Sequence, residues 1–542
     1  MSRCAVQVLV VALLALAASG CLRTLPDTGA NPALLLLNSG SSGSGSSGST
    51  TTDLTASIDP PSSSGLATSG SIVVSFSKEM DPSSLSLNGA LAGDTSGGVW
   101  TSTNLPNDTL TLAPTTNWTI GNDRQLSVSI QDTDGQSYAQ TLRYDVVNLV
   151  VYVSIAGNDG FAGTSPATAL RTIAAGITLA AGSTPAVVQV AGYTDSSGYF
   201  PGGTITMSND ISLKGGFDEA FTIRDPFTYV TRVSIFGAAG GPVFSANGLA
   251  GNNEIEGFRI NISGVAGSNV RGIETDDSNI NIFANVIEVG GSGTGSDAFA
   301  IQIGNSNGKS AAILNNILIT ADAPAITMQA AVRLAGPGTG TGVTVIANNY
   351  MVGASASNSS RGVWIQTGAT PDPVVITNNT MVLTGTTGDQ RGVDINATAA
   401  GARVIRNNII IADDECITET NPANDDPSVG SVTHNDLLCA TAYVDEGATN
   451  YALSGTIDTS GTFETLDTGL DNIAVNPQFN SAATLDFSLT TSSPCAVTTG
   501  GIDLSGLYSY NFDISGSPRT SSGGALTTGW SIGADESDDS CI

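Results

Sequence analysis

The sequence predicts an all-β protein: a small β-sandwich, then a right-handed three-sided parallel β-helix of about ten coils with an N-terminal capping helix. Three observations predict it. Gly makes up 64 of 542 residues and charged residues only 12%, which favours turns and strands over long helices. Apolar residues alternate at period two in the first third of the chain, as half-buried strands require. A short block recurs through the second half at nearly constant spacing, the mark of stacked supersecondary units.

The elements are read in chain order. Arg3 and the apolar run Val8 to Ala18 lead into Ala18-Ser19-Gly20-Cys21. Small residues beside a cut site mark a secretory signal, here 1–20, and the run is too short for a spanning helix of ~20 apolar residues. The segment resembles the lipobox of bacterial lipoproteins, with Ala18 where leucine is commoner. That resemblance implies that Cys21 carries the lipid and begins the mature chain. It further implies a cell-envelope address with membrane association through the anchor. The Leu22 that follows fits outer-membrane sorting and surface exposure.

Residues 21–52 are expected to hold the anchor and a tether. The stretch from Asn38 to Thr50 contains only Asn, Ser, Gly and Thr, so it has nothing to bury and behaves as a flexible coil.

Residues 53–148 read as the sandwich. Ser71-Ile-Val-Val-Ser-Phe-Ser, Thr109-Leu-Thr-Leu-Ala and Gln125-Leu-Ser-Val-Ser-Ile are strands, and Asp132-Thr-Asp-Gly is a turn. Val74-Ser75-Phe76-Ser77-Lys78-Glu79-Met80-Asp81-Pro82-Ser83-Ser84 resembles a phrase of bacterial Ig-like domains. The resemblance implies a spacer or adhesion module.

Residues 149–480 carry the repeat. The block appears as Phe283-Ala-Asn, Leu314-Asn-Asn, Ala347-Asn-Asn, Thr377-Asn-Asn, Arg406-Asn-Asn and His434-Asn-Asp. Its second polar position falls at 285, 316, 349, 379, 408 and 436, giving intervals of 31, 33, 30, 29 and 28. A second series interleaves with it, including Arg361-Gly-Val-Trp and Arg391-Gly-Val-Asp. Each period holds three short β-rich runs, so each is one three-sided coil. Asn285, Asn316, Asn349, Asn379 and Asn408 are then expected to stack as a buried amide ladder, because buried amides require partners. Leu318, Met351, Met381 and Ile410 fill the core beside them. Leu170, Ile173, Ala174, Ile177 and Ala181 follow helical spacing ahead of the first coils and supply the capping helix. The repeats resemble the pectate-lyase-like superfamily. Asp486-Phe-Ser-Leu and Ile532-Gly-Ala-Asp-Glu resemble the phrases that close such domains, which implies a C-terminal cap over 481–542.

Composition limits the function. With 18 basic and 48 acidic residues the net charge is −30, a field that repels nucleic acid. Cys416, Cys439, Cys495 and Cys541 remain after Cys4 leaves with the signal and Cys21 takes the lipid. An even number in an oxidising compartment suggests two disulfides; proximity favours 416–439 and 495–541 among three possible pairings. His434 is the single histidine and no Cys-x-x-Cys occurs, which argues against zinc.

No catalytic set is complete, and catalytic and metal residues stay unassigned. Asp413-Asp414-Glu415 resembles the acidic doublet of polygalacturonases, but the other elements of that family have no counterpart. A lyase would need Ca²⁺ held by acids such as Asp276, Asp277, Asp394, Asp413 or Asp414, with a base such as Arg333, Arg361, Arg391 or Arg403. Ca²⁺ is accordingly the one cofactor considered. Arg361 and Arg391 recur at equivalent positions, a structural signature, and with Trp364 they are the candidates for a ligand face. The expected function is surface binding, adhesion or a structural role, with an extended polysaccharide or a host or cell-surface molecule as partner. The alternative is a polysaccharide lyase or glycoside hydrolase.

Overall fold

The computed structural model describes residues 53–236 and most of 241–535. It does not cover 266–268, 292–295, 305–307, 321–325, 337–341, 356–358, 367–372, 386–387, 397–402, 420–431, 446–448, 452–471 and scattered residues between 483 and 529. The signal segment, Cys21, the tether and Cys541 lie outside the described residues.

The first unit is a sandwich of eight strands: β1 Ala56–Asp59, β2 Ser64–Ala67, β3 Ile72–Phe76, β4 Ser86–Asn88, β5 Thr95–Thr101, β6 Thr109–Pro114, β7 Gly121–Gln131 and β8 Ser137–Val147. They form two sheets, in the orders β1-β3-β6-β5 and β2-β8-β7-β4. The alternation read from sequence sets the core: Ile72, Val74 and Phe76 point inward from β3, and Leu126, Val128 and Ile130 from β7. Asp132 builds the β7–β8 turn by accepting from the Asp134 and Gln136 amides at 3.0 and 2.7 Å.

A single residue, Asn148, separates β8 from the next strand, Leu149–Val153. From there the chain winds into a parallel β-solenoid. Three faces enclose the core. Face A is a ten-stranded parallel sheet that begins with Leu149–Val153 and ends with Val432–Thr433; faces B and C belong to a second sheet, continuous through the long strand Ile409–Glu419. Six turns from Glu254 to Glu419 repeat the pattern regularly. The stacking is residue on residue. On face A, Ile282, Ile313, Ile346, Ile376 and Ile405 lie in register. On face B, Ile287, Leu318, Met351, Met381, Ile410 and Leu437 do the same. Face C contributes Ile273, Ile301, Val332, Val363, Val393 and Ile417. All are buried. Burial at ~25 cal/mol per Å² of apolar surface, repeated coil after coil, is the main force holding the stack.

The Asn pairs occupy the A–B corner, and the two members do different work. The first member adopts the left-handed conformation: Asn315, Asn348, Asn378 and Asn407 have φ between 54° and 57°, with Ala284 and His434 in the same place at 52° and 57°. Asn tolerates that region at least cost after Gly. The second member is the ladder. Asn285, Asn316, Asn349, Asn379, Asn408, Asn435 and Asn472 each accept, through Oδ1, the side-chain amide of the Asn one coil before, except the first. The same Oδ1 accepts that coil's backbone amide. The last repeat is thus corrected by one residue. Asn435, not position 436, is the ladder member; Asp436 aligns with Ile409 on face B.

The helix Ile173–Ala180 starts at Thr172, whose hydroxyl accepts from the Ala175 amide at 3.2 Å. Its buried stripe of Ile173, Gly176, Ile177 and Ala180 lies on Val151, Val153 and Val188, with Gly176 too close to Val153 and Val188 for a side chain.

The described part of the C-terminal segment lies along the side of the rod. Ile473, Ala482, Phe487, Val497, Ile514 and Ile532 cover the outer side of face B at Ile317, Tyr350, Val352, Val382, Ile409 and Ile411. Cys416 and Cys439 form a disulfide with Cα atoms 5.5 Å apart, joining neighbouring coils. Cys495 is also disulfide-bonded.

Candidate functional site

The outer side of face C carries two columns of side chains in register. One contains Arg271, Phe299, Ala330, Arg361, Arg391 and Glu415. Three positions along each strand from it, after a small residue (Gly, Ala or Cys416) and an inward aliphatic one, runs the other: Glu274, Gln302, Arg333, Trp364, Asp394 and Thr418. Arg361, Trp364 and Arg391 are therefore neighbours across two coils.

Arg361 cannot meet a ligand as expected. It is 3% exposed, its Nε pairs with Asp394 Oδ2, and its Nη1 donates to the Asp389 carbonyl at 2.6 Å. Arg391 Nη1 reaches the same Asp394 oxygen at 3.1 Å, Nη2 reaches Asp389 at 3.4 Å, and Nε pairs with Glu415. Two cations thus face three carboxylates. Burial lowers the Arg361 pKa against the pull of Asp394. Burial acts the same way on Arg391, but Asp394 and Glu415 outweigh it and raise that guanidinium. It was their recurrence at equivalent repeat positions that singled out these arginines. That recurrence carried no information about the acids that would consume them.

Trp364 is half-buried and belongs to a second group. The Arg333 guanidinium lies 4.7 Å from the Phe299 ring centre and 5.0 Å from that of Trp364. Its Nε donates to Gln366 Oε1 at 3.0 Å and its Nη1 to Gln302 Oε1 at 3.1 Å, where Arg271 Nε also donates at 2.9 Å. Phe299 is fully buried, and Arg333 and Trp364 are partly exposed. The group offers a π face, a guanidinium edge and amides over three coils, a set suited to stacking and hydrogen bonding.

The acids considered for catalysis are dispersed or occupied. Asp413 accepts from the Gly385 amide at 2.7 Å and Asp414 from the Gln390 amide at 2.8 Å, so both fasten the turn of the preceding coil. Burial raises the Asp413 carboxyl. Asp276 ends the strand Val270–Asp276 and Asp277 follows it, four coils from Asp394. Arg403 is buried at the start of a face A strand. Among the described residues no group of three His, Cys, Asp or Glu is placed to hold a metal ion.

The sequence reading missed the outward role of the first Asn of each pair. Asn315 Nδ2 donates to the Asp513 carbonyl at 2.6 Å, Asn407 Nδ2 to that of Ile502 at 2.8 Å, and Asn348 Oδ1 accepts from Arg519 Nη2 at 3.1 Å. The available signal was that only one Asn of each pair can enter the ladder.

Comparison with known proteins bears on the first unit. Residues 49–146 match the model of the bacterial Ig-like domain. No curated protein matches the chain. The N-terminal unit is a bacterial Ig-like domain, and it leads into a parallel β-solenoid.

Proposed function

We propose that this protein is a lipid-anchored rod of the cell envelope that binds extended glycans across the coils of face C. The Phe299–Arg333–Trp364 group carries the reading. Equivalent positions on successive coils are ~4.8 Å apart, close to the length of one sugar, so a chain lying along the rod meets one coil after another. Cys21 holds the lipid, the Ser/Gly stretch gives clearance, and the destination is the outer-membrane surface. The solenoid belongs to the pectate-lyase-like class and extends to about ten coils, a reading supported by the ten strands of face A. The helix Ile173–Ala180 is its N-terminal cap, supported by its seat on the first two face A strands. Cys495 pairs with Cys541.

A glycan array on the full chain, with ultraviolet lyase and reducing-end assays in parallel, tests the binding. Trp364→Ala should weaken any captured glycan roughly tenfold or more, as loss of a stacking anchor does. Turnover lost in Asp394→Asn would replace binding with catalysis. Cys21→Ala should abolish palmitate labelling and free the chain from membranes; retained labelling would refute the anchor.

A further inference from the structure

A bacterial Ig-like module ahead of a rod invites the picture of a bead on a string. The contacts here are of another kind. The linker is one residue, Asn148, and its amide donates to the Pro185 carbonyl of the solenoid at 2.9 Å. Val147 is buried with Val150 and Val187. Gly65 of β2 lies so close to Val187 that a Cβ would stand 2.8 Å from the valine Cβ. Above this apolar seam sits a cluster of five charges. Lys214, from the face A strand Ile211–Phe217, reaches Asp145 of β8 at 3.1 Å, Glu254 at 2.7 Å and Glu256 at 2.6 Å. Arg224 Nη1 reaches Glu256 at 2.8 Å and donates to the Ser63 carbonyl of the Ig-like domain at 2.9 Å. Lys214, Arg224, Asp145 and Glu256 are each 5% exposed or less.

We infer that the Ig-like domain is a fixed part of the rod, held by a buried ionic lock that alkaline conditions loosen. The stoichiometry explains the direction. Lys214 and Arg224 face Asp145, Glu254 and Glu256, so the fully ionised cluster carries one uncompensated negative charge. Buried charge without a partner is costly, and a proton on one carboxyl removes it. Glu254 is that carboxyl. Burial, reinforced by Glu256 and Asp145 against the pull of Lys214, pushes it up to about 8. Burial acts on Glu256 too, but Arg224 and Lys214 outweigh it and hold that group down to about 2. Burial works against the Lys214 ammonium, and the three carboxylates overcome it and keep it charged.

The signs follow from linkage. The folded pKa of Glu254 is raised, so its contribution is complete below the ordinary carboxylate range and is lost as pH rises through about 8. The folded pKa of Glu256 is lowered, so its contribution is complete above that range and lost only as pH falls toward about 2. The joint is therefore tightest in mildly acidic conditions, weakens as pH rises toward about 8, and is loosest on the alkaline side.

Electron-spin distance measurement on the full chain tests this, with spin labels at Asn104→Cys in the Ig-like domain and Thr206→Cys in the solenoid. Well below the Glu254 transition a single narrow distance is expected; well above it, the distribution should broaden several-fold while far-ultraviolet dichroism stays constant. Glu254→Gln, which keeps the site neutral, should stay narrow at both. A broad distribution at low pH overturns the fixed joint. An unchanged narrow distribution at high pH overturns the lock. Broadening that persists in Glu254→Gln overturns the choice of Glu254.

Discussion

A buried amide is an asset only when all of its groups are used, and Asn379 uses them. Its Nδ2 donates to the carbonyls of Ile346 and Thr377 and to Asn408 Oδ1, at 2.8, 3.0 and 3.0 Å. Its Oδ1 accepts from the backbone and side-chain amides of Asn349 at 3.1 and 2.9 Å. Asn379→Leu strands donors on one neighbour and an acceptor on the other. Each buried orphan costs roughly 1–3 kcal/mol, so denaturant unfolding should show a loss of at least that size, with an unchanged slope. A variant as stable as the parent would show that water or a shifted coil replaces the amide. This position was legible in the sequence because one geometry, a left-handed residue followed by a ladder residue, recurs coil after coil, with Asn at the second site throughout and at the first site in four of the six repeats. The fate of Arg361 was not legible. Its partners Asp389 and Asp394 lie 28 and 33 residues ahead, and nothing in the local pattern says that side chains one coil apart will meet.

At the scale of elements, the strands of the solenoid need only their neighbours above and below. The C-terminal segment is different: it is sewn to the A–B corner by contacts 95 to 198 residues apart in sequence. Arg519 is its main stitch. Besides Asn348, its guanidinium donates to the carbonyls of Gly533 at 2.9 Å and Ser531 at 3.3 Å and lies 5.7 Å from the Trp530 ring centre. Arg519→Ala removes these and leaves the oxygens buried without that donor. We expect a loss of roughly 2–4 kcal/mol, concentrated in this segment. Limited proteolysis should cut within 473–535 before the repeats lose their strand signal. Simultaneous loss of both would mean that the segment and the rod unfold as one. The closing phrases of this region suggested a C-terminal cap. Periodicity could not say where the ending goes, because a segment without repeats has no register to read.

The whole molecule is close to one-dimensional, so its stability is a sum of neighbour terms and its ends are where opening begins. The two ends are secured differently. The N-terminal end has the Ig-like domain and its ionic lock. The C-terminal end has the strand Asp436–Asp445, whose far edge is covered at Asp436 by a parallel bridge to Ile473 and at Tyr443 to Asp445 by the antiparallel strand Thr449–Tyr451, pairing that blunts the sheet edge. The Cys416–Cys439 bridge ties that last strand to Ile409–Glu419 with a separation of 23 residues. A loop of that size is worth ~3 kcal/mol in chain entropy, applied at the last long parallel strand of the stack. Replacing both cysteines with alanine should therefore speed amide exchange in Asp436–Asp445 and Val432–Thr433. The turns between Glu254 and Phe283 should exchange at the parent rate, since the three coils from Ala311 to Asn396 separate them from the change. Uniform acceleration along the rod would show that the coils open together, and that the neighbour-by-neighbour account of this solenoid is wrong.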